Sequence, residues 1–172
     1  MVMKIKYLNF VEQWKEEKKK ILPILSKVMG TGQYVGVKAK EIEKFENNVK
    51  KICGTKHAVA LNSGTDALTL GMHSLGIGRG DEVITPPNSY IASTGSIVHL
   101  GARPIFADVL PDQNIDPKKI EEKITKKTKA IMTVHLTGRS CKMDEIMKIA
   151  RRYKLLVIED CAQAFGSKYK NK

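Results

Sequence analysis

Cysteine is scarce: Cys53, Cys141 and Cys161 are the three present, odd in number, widely spaced and without a Cys-x-x-Cys pair. That speaks against a disulfide framework or a zinc site on paired cysteines, and for reduced thiols. His57, His73 and His99 have no metal-ligand spacing, so no metal is expected. No run of about eighteen apolar residues occurs, which excludes a membrane-spanning helix. Residues 1–7 contain neither the apolar core nor the small-residue cleavage site of a secretory leader, and the expected compartment is the cytoplasm. The chain also lacks a Gly-x-Gly-x-x-Gly dinucleotide fingerprint, a Gly-Lys-Ser/Thr phosphate loop, internal repeats, low-complexity tracts and linkers.

What is present is an ordered globular composition. With 172 residues, 42% hydrophobic and 28% charged, the chain is long enough to bury the core of one α/β domain. The net charge of +12 would suit a nucleic-acid partner, since lysine and arginine neutralise phosphates without regard to sequence. Its distribution favours a solvated surface instead. Lys15, Lys18, Lys19 and Lys20, then Lys118, Lys119, Lys123, Lys126 and Lys127, fall on polar helix faces or the loop after one, with no interleaved aromatics to stack bases.

Apolar spacing divides the chain into a helical arm, residues 1–56, and an α/β portion, residues 57–172. In the arm, Phe10, Val11, Trp14, Ile21, Leu22, Leu25 and Val28 recur at helical intervals; Pro23 is predicted to kink or split that helix, and Gly30-Thr31-Gly32 to end it. A second amphipathic stretch, Ile42, Phe45, Val49 and Ile52, closes at Gly54. Beyond it, predicted strands at 57–62, 82–85, 104–108, 130–136 and 155–160 alternate with predicted helices near 65–75, 89–100, 117–124 and 143–153. This alternation predicts an α/β fold with a mostly parallel, mixed sheet sandwiched by helices.

Ligands of such sheets bind beyond the carboxyl ends of the strands. Four ends stand out, one of them His135-Leu136-Thr137-Gly138. Ser63-Gly64-Thr65 opens a helix, where unpaired backbone N–H groups favour an anion; from the tripeptide alone, an ordinary serine cap with a glycine turn is the simpler reading. Glu159-Asp160 ends the apolar run Leu155–Ile158, and a carboxylate there needs donors or a cation, such as a protonated cofactor ring nitrogen. Capping a helix over residues 161–165 would satisfy it as well. Tyr90 follows the stiff Pro86-Pro87 pair and can either face a flat ligand or fill the core beside Ile91. Cys161 reads as a small buried hydrophobe.

In order and spacing, "LNSGTDAL", "GIGRGDEVITP", "GARPIFADV", "TKAIMTVHLTG" and "VIEDCAQAFGSKY" resemble the DegT/StrS-type sugar aminotransferases, fold-type I enzymes that use pyridoxal 5′-phosphate. The resemblance runs from about Gly32 to Tyr169. It implies the large domain of a pyridoxal phosphate-dependent transferase, with Gly64 and Thr65 at the cofactor phosphate, Tyr90 stacked on the ring, Asp160 paired with the ring nitrogen and Gln163 at the ring hydroxyl. It also implies a homodimer that takes an amino group from an amino acid, commonly glutamate, and passes it to a keto group on a nucleotide-linked sugar.

One departure bears on activity. The lysine that forms the family's Schiff base lies further along than Asp160, after a serine-rich strand, whereas Lys168, Lys170 and Lys172 fall in a stretch that resembles a solvent-exposed turn. The sequence is thus expected to be the N-terminal portion of such an enzyme, without the small C-terminal domain, without a catalytic residue of its own and inactive as it stands. Two other readings stay open: a pyridoxamine phosphate-dependent sugar dehydratase, in which histidine replaces the lysine, and a non-catalytic phosphate- or cofactor-binding module. Arg139-Ser140-Cys141-Lys142, where many relatives carry Gln-Pro-Ala-Asp, reads as loop variation.

Overall fold

A computed structural model describes residues 6, 8–34 and 39–171. Residue 172 and all but Lys6 of the segment read for a leader lie outside the described residues. The chain divides into two compact units, residues 1–60 and 61–172.

The first unit holds two helices, α1 (Phe10–Thr31) and α2 (Lys40–Cys53). α1 runs unbroken through Pro23, against the expected split. Proline removes one i→i−4 bond and crowds one carbonyl, but enough regular helix lies on either side to carry the chain across. Each helix ends in a left-handed glycine, Gly32 (φ 65°) and Gly54 (φ 63°), whose N–H returns to Met29 O and Lys50 O. The amphipathic stripe of α1 is uncovered: Phe10, Val11, Trp14, Ile21, Leu22 and Leu25 are all exposed, and the helix has no buried residue among those described.

The second unit is the α/β portion. Helix α3 (Gly64–Ser74) is followed by β1 (Glu82–Thr85), α4 (Ile91–His99), β2 (Arg103–Phe106), α5 (Pro117–Glu122), β3 (Thr128–Val134), α6 (Met143–Tyr153) and β4 (Leu156–Asp160). The four strands form one sheet in the order β2-β1-β3-β4, and every pair is parallel. The chain moves from β1 to β2 in one direction, then returns past β1 to β3 and on to β4. Parallel crossovers are right-handed, so this reversal puts α4 on one face and α5 and α6 on the other.

Two cores result. Val83, Ala130 and Met132 pack with Met72 of α3 and Ile97 of α4; Ile84 and Ile131 pack with Ile120 of α5 and Ile146 of α6. Adjacent strand residues serve opposite cores because side chains alternate across a sheet. Full burial of one such isoleucine contributes about 1.5–3 kcal/mol, and truncating it to alanine costs about 2–5 kcal/mol.

The predicted strand at 57–62 does not form. Val59 is 76% exposed and Leu61 is exposed too. Among the described residues its backbone makes no ladder bonds; Thr55 Oγ1 donates to His57 O at 3.0 Å and the Ala60 N–H to Glu46 Oε1 at 2.9 Å. Alternating apolar residues make a strand only where a neighbour supplies the ladder. No helix among the described residues is long and apolar enough to cross a membrane.

The uncovered stripe of α1 is expected to drive self-association that the +12 charge opposes. Salt screens that repulsion over about 8 Å at physiological ionic strength, so the size of the isolated chain measured by light scattering should grow with salt. A monodisperse monomer of constant size across the series would show the stripe to be harmless.

Candidate functional site

Ser63 caps α3 as an ordinary N-cap would: its Oγ accepts the N–H of Asp66 at 3.1 Å. The Asp66 carboxylate is in turn held by Asn62 Nδ2 (2.6 Å) and Ser63 Oγ (3.0 Å). The cap therefore exists, but it leaves donors over. Among the described residues no hydrogen bond uses the N–H of Gly64, the N–H of Thr65 or the Thr65 hydroxyl, and all three belong to exposed residues. A Cβ built on Gly64 would meet nothing within 4 Å, so that backbone is open to approach. Unspent N–H groups at the positive end of a helix are suited to an anion.

Tyr90 is the residue immediately before α4 and is 73% exposed, with Ile91 exposed beside it. Core filling is thereby excluded, and the ring is available to a flat partner. α4 packs on α3, and both cover the sheet face that holds Val83 and Met132.

Asp160 closes β4. Its Oδ2 accepts from Ser93 Oγ of α4 at 3.0 Å and its Oδ1 from Ala162 N–H at 3.1 Å. No helix follows; residues 161–169 are turns and irregular chain, so helix capping is not its role. Ser93 is itself fully buried and lies 2.7 Å from Ser89 Oγ. Thr85, at the carboxyl end of β1, carries a buried hydroxyl with no partner among the described residues, a situation that costs about 1–3 kcal/mol.

Gln163 lies in the turns beyond β4 and accepts the Thr137 N–H through Oε1 at 2.8 Å, leaving its amide nitrogen unspent among the described residues. Thr137 adopts φ 54°, ψ 25° and is followed by Gly138 at φ 83°. A β-branched residue in the left-handed region is strained, and here the strain aims an N–H at Gln163. Thus Asp160 is joined to the start of α4, near Tyr90, and Gln163 to the turn after β3. Gly64 and Thr65 belong to the helix packed beside α4.

On the opposite face lies a cluster around His135, whose strand end the sequence singles out without indicating its partners. His135 is buried; its ring nitrogen Nε2 lies 2.9 Å from Glu159 Oε2, and Nδ1 accepts the Cys141 N–H at 3.1 Å. Cys161 completes the group, with potential ligand atoms of His135, Glu159 and Cys161 all within 4.8 Å of one another. A metal on Nε2 would need the lone pair there while Nδ1 still accepted from Cys141, leaving the ring without a proton, so the contacts fit a hydrogen-bonded array better than a metal site. The Cys141 thiol, then the Cys161 thiol and the Glu159 carboxylate, push the His135 pKa upward against its burial; the Cys141 N–H aimed at Nδ1 pulls the other way. His135 holds the Glu159 carboxyl below its usual range. Cys141 is the buried thiol and Cys161 is exposed, the reverse of what was expected for Cys161.

The polar residues missed in the sequence had one faint signal. Ser89 and Ser93 stand four apart across the start of α4, and Ser93 and Ser96 are both buried. Lys170 is exposed and pairs with Asp144 rather than entering this region.

Because the folded-state pKa of Glu159 is depressed from 4.5, its contribution to stability is present above that value and lost as pH falls through the lower one. The stability deficit of Glu159→Gln, read from urea midpoints, should hold above about pH 4.5 and shrink on further acidification. A deficit constant down to pH 2 would show that the contact is not ionic.

Residues 15–172 match the model of the DegT/DnrJ/EryC1/StrS aminotransferase family. The chain is 48% identical over 157 residues to a dTDP-3-amino-3,6-dideoxy-alpha-D-galactopyranose transaminase of Aneurinibacillus thermoaerophilus, covering 90% of this chain and 42% of that protein. Its structure is similar to that of DesV from S. venezuelae, solved in complex with a ketimine intermediate, with a TM-score of 0.93 at 36% identity over 99% of this chain and 46% of the other. NtdA from Bacillus subtilis, solved with bound cofactor PMP, gives a TM-score of 0.89 at 39% identity over 96% and 38%. The chain spans less than half the length of each of these relatives.

Proposed function

The chain belongs to the DegT/DnrJ/EryC1/StrS aminotransferase family, and from that premise we propose that it is the cofactor-binding, N-terminal portion of a pyridoxal 5′-phosphate-dependent sugar aminotransferase. The amino donor in this reading is an amino acid, glutamate, and the acceptor a keto group on a nucleotide-linked sugar. The complete enzyme would work in the cytoplasm as a homodimer, with residues 57–172 as an incomplete large domain. The observation that carries the reading is the Asp160 carboxylate, held through both oxygens at the end of a parallel strand by Ser93 and Ala162.

The residues present fit the cofactor. The Gly64 and Thr65 N–H groups and the Thr65 hydroxyl suit its phosphate, the exposed Tyr90 ring suits a planar heterocycle, and the partnerless Thr85 hydroxyl suits a polar group delivered to the same sheet face. When bound, the cofactor supplies an electron sink and a carrier for the amino group. Asp160 holds a proton on the ring nitrogen, because a carboxylate beside that atom favours its charged form. Gln163, with Oε1 tied to Thr137, offers its amide N–H to the ring hydroxyl. Tyr90 restricts the ring to one plane. The lysine that would move protons on the substrate is not matched among these residues, so the 172-residue chain binds without transaminating.

Titration with pyridoxamine 5′-phosphate tests the site. The phosphate form should bind more tightly than pyridoxamine, and Tyr90→Ala should weaken binding about fivefold, the loss of a stacking contact worth about 1 kcal/mol. Equal affinity for both ligands would remove the phosphate role of Gly64 and Thr65. The purified chain given glutamate and a nucleotide-linked keto sugar should show no turnover; measurable transamination would overturn the assignment of the lysine to residues outside this chain. A sugar dehydratase and a non-catalytic binding module are separated from this reading by the residue that follows the serine-rich strand in the complete gene product: lysine, histidine or neither.

A further inference from the structure

We infer that Ser93 is a positioning residue for Asp160, and that Ser89 sets the direction in which the Ser93 proton points; this rests on the aminotransferase reading above. Three groups lie in sequence: Ser89 Oγ, Ser93 Oγ at 2.7 Å, and Asp160 Oδ2 at 3.0 Å from Ser93. An ionised carboxylate only accepts, and a serine hydroxyl has a single proton to give. Ser93 therefore donates to Asp160, and Ser89 donates to Ser93.

The consequence for Asp160 is geometric. Ser93 holds Oδ2 and the Ala162 N–H holds Oδ1, so the carboxylate can rotate about neither oxygen without losing a bond. Each oxygen keeps a second acceptor position, so a protonated ring nitrogen can be received without displacing either donor. Ser93 has 0% exposure and reaches Asp160 from 67 residues away, which makes the contact a tie between α4 and β4 and not a local turn. Ser89 and Ser93 bracket Tyr90, so the same array links the ring-bearing loop to the carboxylate that would face the ring edge. A serine that merely filled space would need neither the second hydroxyl nor the long-range acceptor.

The test uses pyridoxamine 5′-phosphate labelled with ¹⁵N at the ring nitrogen and bound to the 172-residue chain, with the nitrogen shift followed against pH. In the unaltered protein the ring nitrogen should keep its proton to higher pH than in free cofactor. Ser93→Ala should lower that titration by about one unit, a tenfold loss of proton affinity, with affinity for the protonated cofactor falling about tenfold by linkage and affinity for the neutral cofactor unchanged. Ser93→Thr, which retains the hydroxyl, should restore the original titration, an outcome that simple packing would not produce. Should Ser93→Ala lose its fold, Ser89→Ala carries the same comparison, with a smaller shift in the same direction. Asp160→Asn supplies the reference. If Asp160→Asn abolishes the raised titration while Ser93→Ala and Ser89→Ala leave it untouched, the positioning role is wrong and the cofactor site stands. If pyridoxamine 5′-phosphate does not bind, or Asp160→Asn titrates like the unaltered protein, the aminotransferase reading itself falls.

Discussion

Everything in the α/β unit depends on β3 pairing in parallel with β1 on one side and β4 on the other. Parallel neighbours cannot be joined by a tight turn, so each pairing demands a crossover, and right-handedness decides which face the crossover helix covers. The reversal of direction after β2 then divides the helices between two faces and the apolar residues between two cores. It also brings the carboxyl ends of β1, β3 and β4 together at the part of the sheet where ligands of such folds bind.

The two faces of β4 carry different polar chemistry because neighbouring residues on a strand point opposite ways. Asp160 turns to α4, where it meets Ser93; Glu159 turns to the α6 side, where it meets His135. Both carboxylates sit at the end of the half-buried β4, and both are hydrogen-bonded. They differ in how they are held. Among the described residues Glu159 makes one contact, through Oε2 to the buried His135, whereas Asp160 is held through both oxygens by Ser93 and Ala162, which fixes its orientation while each oxygen keeps a second acceptor position.

Much of this was legible from residue order. The strands at 82–85 and near 156–160, the helices at 143–153 and near 65–75, and the glycine stop at Gly54 follow from periodicity and capping chemistry, which act over a few residues. The segment 57–62 shows the limit of such signals: its alternation is that of a strand, but a strand also needs a neighbour, and pairing is not a local property. Pro23 shows the converse, a local breaker overridden by the regular helix around it.

At the site, residue types in a recognisable order were enough to nominate Gly64, Thr65, Tyr90, Asp160 and Gln163, because the chemistry of a phosphate, a ring face and a ring nitrogen asks for those types. The sequence alone could not decide whether Tyr90 lay in the core, whether Asp160 capped a helix, or that Ser93 and His135 held the two carboxylates. The last of those answers depends on contacts between residues 67 and 24 positions apart, which only the packing of α4 and β3 against β4 brings within hydrogen-bonding distance.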